Sequence, residues 1–187
     1  MEPTKRTSSS PGAATTSSEV STGGDLICGG RGDDEVLGGG SRFTYDLISG
    51  GRGADTLRGQ ENRDRIRGNG GADRILGGGG KDEVRGGGAR DDIWGDRPGG
   101  GGEEGKRDLL RGGRGKDTIH GGRRGDYLIG GADDDRLFGD SGVDHIQGGH
   151  GNDALFGGLH NDDLNGGDGI DECDQGPGTG FVVNCES

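Results

Sequence analysis

The sequence predicts an all-β repeat protein, a solenoid of short strands, and two observations carry that prediction. Only 24% of the 187 residues are hydrophobic and 50 are glycine, which excludes a conventional globular core built from about 45–50% apolar residues. An aspartate and an aliphatic residue also recur together at nine-residue intervals. A repeat protein tolerates few apolar residues because each unit buries one side chain and stacking completes the core.

Composition alone would equally indicate disorder, because the low hydrophobic content accompanies a formal net charge of −12. The nine-residue periodicity favours a repeat protein over a disordered chain. Collagen is excluded, since the glycines lack a strict every-third spacing and there are only 4 prolines. The negative charge argues against nucleic acid and anionic lipid as partners and favours polyvalent cations.

Aspartate occupies the sixth position of sixteen nine-residue repeats, as in 29–37 (GGRGDDEVL) and 148–156 (GGHGNDALF). The steps from Asp34 to Asp46 and from Asp91 to Asp108 carry insertions of three and eight residues, and every other step is nine. The column consists of Asp25, Asp34, Asp46, Asp55, Asp64, Asp73, Asp82, Asp91, Asp108, Asp117, Asp126, Asp135, Asp144, Asp153, Asp162 and Asp171.

An aliphatic residue follows each aspartate by two places in fifteen repeats, and Cys173 takes this place in the last. The residue between them is mostly polar, as expected for the outward face of a strand. The predicted core is therefore Ile27, Val36, Ile48, Leu57, Ile66, Ile75, Val84, Ile93, Leu110, Ile119, Leu128, Leu137, Ile146, Leu155 and Leu164.

The full pattern, G-G-x-G-x-D-x-U-x with U aliphatic, resembles the repeats-in-toxin (hemolysin-type calcium-binding) nonapeptide family over roughly residues 20–174. The resemblance implies a right-handed parallel β-roll in which two repeats, 18 residues, complete one coil. Turns two repeats apart then stack on the same edge, and several Ca²⁺ ions are expected between them.

The residue types in the turns suit calcium. Glycines at positions 1, 2 and 4 permit positive φ and direct backbone carbonyls into the gap between stacked turns, where the aspartate adds its carboxylate. Ca²⁺ takes six to eight oxygen ligands in flexible geometry, whereas Mg²⁺ demands octahedral geometry and keeps its waters. The few Cys and His do not form a transition-metal site at this spacing.

The two edges of the predicted roll differ. With the Asp25 repeat numbered one, position 4 is glycine in six of eight even repeats but in only three of eight odd repeats, where Lys106 and Arg124 introduce cations. Both insertions fall in odd turns, so Ca²⁺ is predicted mainly at the even edge, with weaker sites near Asp82, Asp126, Asp144 and Asp162. The predicted even-edge ligands are the carboxylates of Asp34, Asp55, Asp73, Asp91, Asp117, Asp135, Asp153 and Asp171 and the backbone of Gly30, Gly32, Gly51, Gly53, Gly71, Gly113, Gly115, Gly149, Gly151, Gly167 and Gly169.

Stacking also predicts metal-dependent folding. Strands about 4.8 Å apart bring the aspartates of one edge together, and at an effective dielectric of 20 two such charges repel by roughly 3–4 kcal/mol. Intercalated Ca²⁺ removes this repulsion and couples its binding energy to folding. The metal-free chain is therefore predicted to be disordered.

The chain divides into a Ser/Thr-rich lead (1–19), predicted to be disordered, the roll (20–174) and a C-terminal cap (175–187). The ending GGDGIDECD…FVVNCE resembles the cysteine-paired ending of secreted bacterial family members, which implies a Cys173–Cys185 disulfide. Two free thiols are the alternative, and Cys28 is left free or paired with another chain. Trp94 is expected to cover the insertion at 95–107.

The predicted function is calcium binding by a secreted module. The module is predicted to be non-enzymatic, because the four histidines are scattered through the repeat frame and surround no nucleophile. No apolar run resembles a membrane span or a secretory leader, so a leaderless route or a longer precursor is expected. Two alternatives stay open: a surface, matrix or adhesion-type structural protein, and the repeat part of a secreted enzyme or toxin without its effector domain. The protein or surface partner is left unassigned.

Overall fold

The computed structural model describes residues 6–8, 17–19, 23–40, 44–97 and 106–186, and all nineteen elements in these ranges are β-strands. Within the same ranges no helix is long and apolar enough to cross a membrane. The strands are β1 (Arg6–Ser8), β2 (Ser17–Glu19), β3 (Leu26–Arg31), β4 (Glu35–Leu37), β5 (Leu47–Arg52), β6 (Thr56–Glu61), β7 (Arg65–Gly70), β8 (Arg74–Gly79), β9 (Glu83–Gly88), β10 (Asp92–Trp94), β11 (Leu109–Arg114), β12 (Thr118–Arg123), β13 (Tyr127–Ala132), β14 (Arg136–Ser141), β15 (His145–His150), β16 (Ala154–Phe156), β17 (Asp163–Asp168), β18 (Glu172–Asp174) and β19 (Val182–Val183).

Consecutive strands alternate between two parallel sheets. The odd-numbered strands form a ten-stranded sheet and the even-numbered strands a nine-stranded sheet, each in chain order. Every strand inside a sheet thus pairs with the strands one coil before and after it, and β1, β2, β18 and β19 lie at the sheet ends. Ile146 of β15, for example, lies opposite Leu128 and Leu164. The structure is a parallel β-solenoid with two repeats per coil, which confirms the predicted fold class.

The core is a single column of aliphatic side chains between the two sheets. All fifteen predicted residues belong to one buried cluster and are 0–2% exposed, with Cys173 packed against its end. The column forms because position 8 points inward from each strand while positions 7 and 9 point outward.

Most strands are longer than the three residues expected. They have six residues, which are positions 7–9 of one repeat and 1–3 of the next, because the first half of the turn keeps pairing with the neighbouring coil, as at Gly131–Gly149. In the ten-stranded sheet every strand from β3 to β17 extends in this way. In the nine-stranded sheet β4, β10 and β16 end after three residues.

At the N-terminal end, six residues of the segment predicted to be disordered form strands. β1 pairs with β3 and β2 with β4, which places Thr7 opposite Ile27 and Ser18 opposite Val36. Pairing is favourable there because the edge strand of a sheet otherwise leaves its N–H and C=O groups unpaired. The rest of the predicted lead lies outside the described residues.

At the C-terminal end, the roll continues past the predicted boundary at 174. β19 pairs with β17, and Val182 lies opposite Leu164, so residues 175–183 form a further, degenerate repeat. Gly180 occupies position 6, the position of the repeat aspartate, so the sequence pattern does not reveal this repeat.

The predicted disulfide is confirmed. Cys173 and Cys185 are bonded, with their Cα atoms 5.9 Å apart, so the alternative of two free thiols is excluded. Cys28 is a free, partly exposed thiol.

Candidate metal-binding turns

Every repeat aspartate is buried, and the fourteen from Asp46 to Asp171 each use one carboxylate oxygen to hold the preceding coil. Oδ1 of Asp135 accepts the backbone N–H of Asp117, and Oδ1 of Asp153 accepts that of Asp135, both at 2.8 Å. The bond from Asp82 to Asp108, which spans the larger insertion, has a similar length of 2.7 Å. All sixteen aspartates are 0–3% exposed, so two continuous carboxylate columns run along the solenoid, one at each edge.

The second carboxylate oxygen has no hydrogen-bond partner in most of these residues. Burying such an oxygen unpaired is unfavourable, and a carboxylate is satisfied there by a cation. The residues with an unpartnered, buried Oδ2 include Asp55, Asp64, Asp73, Asp82, Asp91, Asp108, Asp117, Asp126, Asp135, Asp144, Asp153, Asp162 and Asp171.

A glycine at position 1 keeps the space beside this oxygen open. A Cβ built at Gly139 would lie 2.5 Å from both Asp144 Oδ2 and the carbonyl oxygen of Gly157. At the other edge, a Cβ at Gly148 would overlap Asp153 Oδ2. A carboxylate oxygen and a carbonyl oxygen therefore converge in each turn, and any larger residue at position 1 would fill the gap.

Positions 2 and 4 direct further carbonyl groups along the solenoid axis. A Cβ built at Gly149 or Gly151 would overlap the carbonyl oxygens of Gly131 and Asp133, one coil below. Such close approach, together with positive φ, explains the preference for glycine. All the predicted glycine ligands have positive φ: Gly30, Gly32, Gly51, Gly53, Gly71, Gly113, Gly115, Gly149, Gly151, Gly167 and Gly169.

The two edges differ in regularity. At the even edge, all sixteen residues at positions 2 and 4 have positive φ, including the non-glycine residues Asn69, Ala89 and Asp133. Every strand leading into this edge from β3 to β17 extends into the turn. At the odd edge, β6, β8, β12 and β14 extend into the turn in the same way, whereas β4, β10 and β16 end before it. Positive φ also occurs at odd-edge positions 2 and 4, as at Gln60, Gly78 and Arg124, so the even edge is the more uniform stack of turns chiefly because its strands are uninterrupted.

Protein groups also occupy part of the odd edge near the larger insertion. Arg107 Nε donates to the carbonyl oxygen of Gly125 at 2.9 Å, and its guanidinium lies 5.2 Å from the centre of the Tyr127 ring. Asp96 Oδ2 accepts the N–H of Arg123 at 2.9 Å. The Arg107 charge opposes a cation bound beside Asp126.

Burial raises the pKa of many turn carboxyls, because desolvation penalises their charged form. It raises the pKa of Asp73 and Asp117 to about 6, of Asp135 to about 8 and of Asp108 to about 9. Neighbouring carboxylates raise these pKa values further, and the backbone N–H donors described above lower them. The turns thus hold negative charge poorly unless a cation is bound.

The donor set fits a hard cation. Among the residues that the structure describes, no three His, Cys, Asp or Glu side chains form a metal cluster, so a site here draws on backbone carbonyls as well as carboxylates. Ca²⁺ accepts such mixed oxygen ligands.

Sequence reasoning missed a stack of aromatic rings on the outer face of the nine-stranded sheet. Trp94 lies 5.8 Å from His120, His120 lies 4.5 Å from Phe138, and Phe138 lies 4.8 Å from Phe156, with all rings nearly parallel. Trp94 thus packs on the next coil, and residues 98–105 of the insertion that it is expected to cover lie outside the described part of the chain. The signal in the sequence is a ring at position 9 of four successive even repeats.

Stacked coils with a buried carboxylate column at each edge define a metal-binding β-solenoid. The model of the RTX calcium-binding nonapeptide repeat (4 copies) matches residues 19–42, 46–75, 67–97, 111–146 and 138–173, more than half of the chain. The chain therefore belongs to this family, and its repeats are of the calcium-binding type. No curated protein matches it.

Proposed function

We propose that this chain is a non-enzymatic, secreted module that folds as Ca²⁺ fills its turns. The observation that carries the proposal is the column of buried carboxylate oxygens without hydrogen-bond partners, as at Asp117, Asp135 and Asp153. Ca²⁺ ions between successive turns would supply the missing interactions and join neighbouring coils.

Electrostatics makes the metal a condition of folding. Carboxylates stacked about 4.8 Å apart repel by roughly 3–4 kcal/mol per pair at an effective dielectric of 20. Without metal, the repulsion is relieved only by protonating the carboxylates, which removes their charge, or by separating the coils, which removes the stacking. Neither leaves a charged, stacked column at neutral pH. Calcium binding stabilises only the stacked state, so its free energy adds to that of folding.

The even edge is the main proposed binding column. Its turns have uniform positive φ at positions 2 and 4, and the strands entering it extend without interruption. The odd edge, with Asp82, Asp126, Asp144 and Asp162, is proposed to bind more weakly, because Arg107 already occupies the carbonyl of Gly125. An ion is proposed between each successive pair of the eight even-edge aspartates.

Calcium-coupled folding suits an extracellular module. The family's repeats are typically secreted, and a chain that stays unfolded at low intracellular calcium and folds outside the cell would be controlled by the calcium gradient alone. The Cys173–Cys185 disulfide is consistent with an oxidising compartment.

The direct experiment is circular dichroism of demetallated protein during titration with Ca²⁺ and, in parallel, Mg²⁺. We expect a β-sheet signal to develop cooperatively with millimolar or lower Ca²⁺ and not with equal Mg²⁺. A chain that is already compact and melts cooperatively in excess chelator would overturn the proposal.

A further inference from the structure

The even-edge aspartate column does not end in an aspartate. The N–H of Asp153 donates to Asp171 Oδ1 at 2.8 Å, as throughout the column, but the N–H of Asp171 donates to Glu186 Oε2 at 2.6 Å. The Glu186 carboxylate thus takes the place that the next aspartate would take. As in the aspartates, this bond commits only one of its two oxygens.

The backbone contacts of Glu186 also replace those of a repeat residue. Its N–H donates to the Asp171 carbonyl at 2.9 Å, as the N–H of Glu172 donates to the Asp153 carbonyl at 2.8 Å, and Glu186 bridges Glu172 in parallel. Glu186 therefore lies at the level of position 7, and its longer side chain reaches back to the level of position 6.

Asn184 supplies the position-1 carbonyl of this shortened turn. A Cβ built at Gly166 would overlap both the carbonyl oxygen of Asn184 and Oδ2 of Asp171. In the preceding even turn, a Cβ at Gly148 meets the carbonyl oxygen of Gly166 and Asp153 Oδ2 in the same way. The chain thus passes from the level of position 1 at Asn184 to the level of position 7 at Glu186 in two steps. A full turn, such as 166 to 172, takes six steps.

The gap enclosed by these groups contains an unsatisfied acceptor. Asp171 is 1% exposed, and its Oδ2, which faces the Asn184 carbonyl oxygen, has no hydrogen-bond partner. A side-chain oxygen and a backbone oxygen therefore border one gap, and the Glu186 carboxylate accepts the Asp171 backbone N–H beside it. Carboxylate and carbonyl oxygens are the donors that Ca²⁺ binds.

The disulfide fixes this arrangement. Cys185 lies between Asn184 and Glu186, and its partner Cys173 lies at the end of the core column, opposite Leu155. The covalent bond anchors both ligand-bearing residues to the last core position.

We propose that residues 184–186 complete a terminal calcium site over the turn 166–171, with the Asn184 carbonyl and the Glu186 carboxylate replacing the groups of a further repeat. This inference rests on the proposed function, since it assumes calcium in the even edge. The site lacks the position-2 and position-4 carbonyls of a full turn, so water completes the coordination and the ion binds more weakly than those within the column. Reduction of the disulfide by a dithiol, which adds two electrons and two protons and yields two thiols, releases the segment and weakens the site.

The test compares Glu186→Gln with Glu172→Gln, which removes the same charge from an exposed neighbouring strand position. Calcium stoichiometry and affinities are measured by competition with a chromophoric chelator, and hydrogen–deuterium exchange follows peptides covering 112–155 and 166–186. We expect Glu186→Gln to lose the weakest ion or weaken it at least about tenfold, equivalent to about 1.4 kcal/mol. In Glu186→Gln, the calcium-dependent protection from hydrogen–deuterium exchange falls only in residues 166–186. Glu172→Gln behaves as the wild type.

The outcomes separate the two proposals. A wild-type chain that binds no calcium overturns the proposed function itself. A wild-type chain that binds calcium, with Glu186→Gln equal to it in ion number, affinity and protection of 166–186, overturns only the terminal site. Melting at saturating calcium verifies that the rest of the roll stays folded in the variant.

Reduction tests the role of the disulfide in a Cys28→Ser background, which removes the free thiol. In that background, the dithiol reductant is expected to weaken binding of the same weak ion, and to cause no further loss when Glu186→Gln is also present. An unchanged affinity of that ion after complete reduction contradicts the proposed anchoring.

Discussion

The backbone N–H of Asp117 donates to Oδ1 of Asp135 at 2.8 Å, and the remaining oxygen of the Asp135 carboxylate has no hydrogen-bond partner. One side chain therefore fixes the register between two coils and also presents a buried oxygen to the gap between them. Stacking and metal binding are therefore coupled at the level of a single carboxylate.

Replacing one even-edge aspartate is expected to weaken calcium-induced folding more than replacing an odd-edge one. Asp135→Asn keeps an amide oxygen for the Asp117 N–H but removes the charge, and we expect the calcium midpoint of the circular dichroism transition to rise about tenfold, or about 1.4 kcal/mol. Asp126→Asn is the matched control, since Asp126 accepts the Asp108 N–H in the same way at 2.7 Å. Equal shifts in the two variants would contradict the even-edge assignment.

Acidification is expected to stabilise the compact state of the metal-free protein. Burial raises the pKa of Asp117 to about 6 and of Asp135 to about 8, from 3.8. Between pH 3.8 and these values the folded state binds more protons than the unfolded state, so the stability of the metal-free fold falls as pH rises through this window and recovers as pH falls. Demetallated protein should therefore gain β-sheet signal between pH 8 and pH 5.

Calcium competes with those protons, so its affinity is expected to rise with pH over the same window. Adding Ca²⁺ to weakly buffered protein at pH 7 should release protons, measurable with an indicator dye. Sedimentation at each pH controls for aggregation near the sequence pI of 4.7. Loss of β-sheet signal on acidification, without precipitation, would give the opposite sign and refute the interpretation.

Adjacent glycines in one even turn are expected to respond differently to alanine. Gly87 has φ of 129°, and a Cβ there would overlap the Asn69 carbonyl, whereas the nearest such contact at Gly88 is 3.9 Å. Gly87→Ala should therefore destabilise the calcium-loaded protein by at least about 1–2 kcal/mol, while Gly88→Ala should be near neutral. Thermal melting at fixed calcium measures both, and similar melting temperatures would argue against close stacking of the turns.

Truncation within the core column is expected to be costly despite the small size of each repeat's core. Leu128 is fully buried between Leu110 and Ile146, and Leu128→Ala should cost about 2–5 kcal/mol in the calcium-loaded state. Ile129→Ala, on the partly exposed outer face of the same strand, is the control and should cost clearly less. Chemical denaturation at saturating calcium distinguishes the two, and comparable losses would mean that the column is not the principal core.

The sequence predicted the columns of the solenoid better than its ends. The position of Asp117 in a turn and of Leu128 in the core was predictable because the nine-residue period fixes which residues face the turn and which face the core. The last coil escaped prediction because Gly180 replaces its aspartate and Glu186 reaches Asp171 through a shortened turn, a contact that no repeat frame registers. The aromatic stack was not predicted because position 9 varies widely between repeats, so a ring in any one repeat does not by itself indicate stacking.

The insertion between Asp91 and Asp108 leaves the spacing of the coils intact. The hydrogen bonds from Asp82 to Asp108 and from Asp91 to Asp117 each span 26 residues, yet measure 2.7 and 2.8 Å. Loop length on that side is thus independent of the rise of the solenoid. A foreign peptide, such as a reporter or an affinity epitope, could therefore be grafted between Arg97 and Lys106 and displayed on the flank opposite the more regular column of turns.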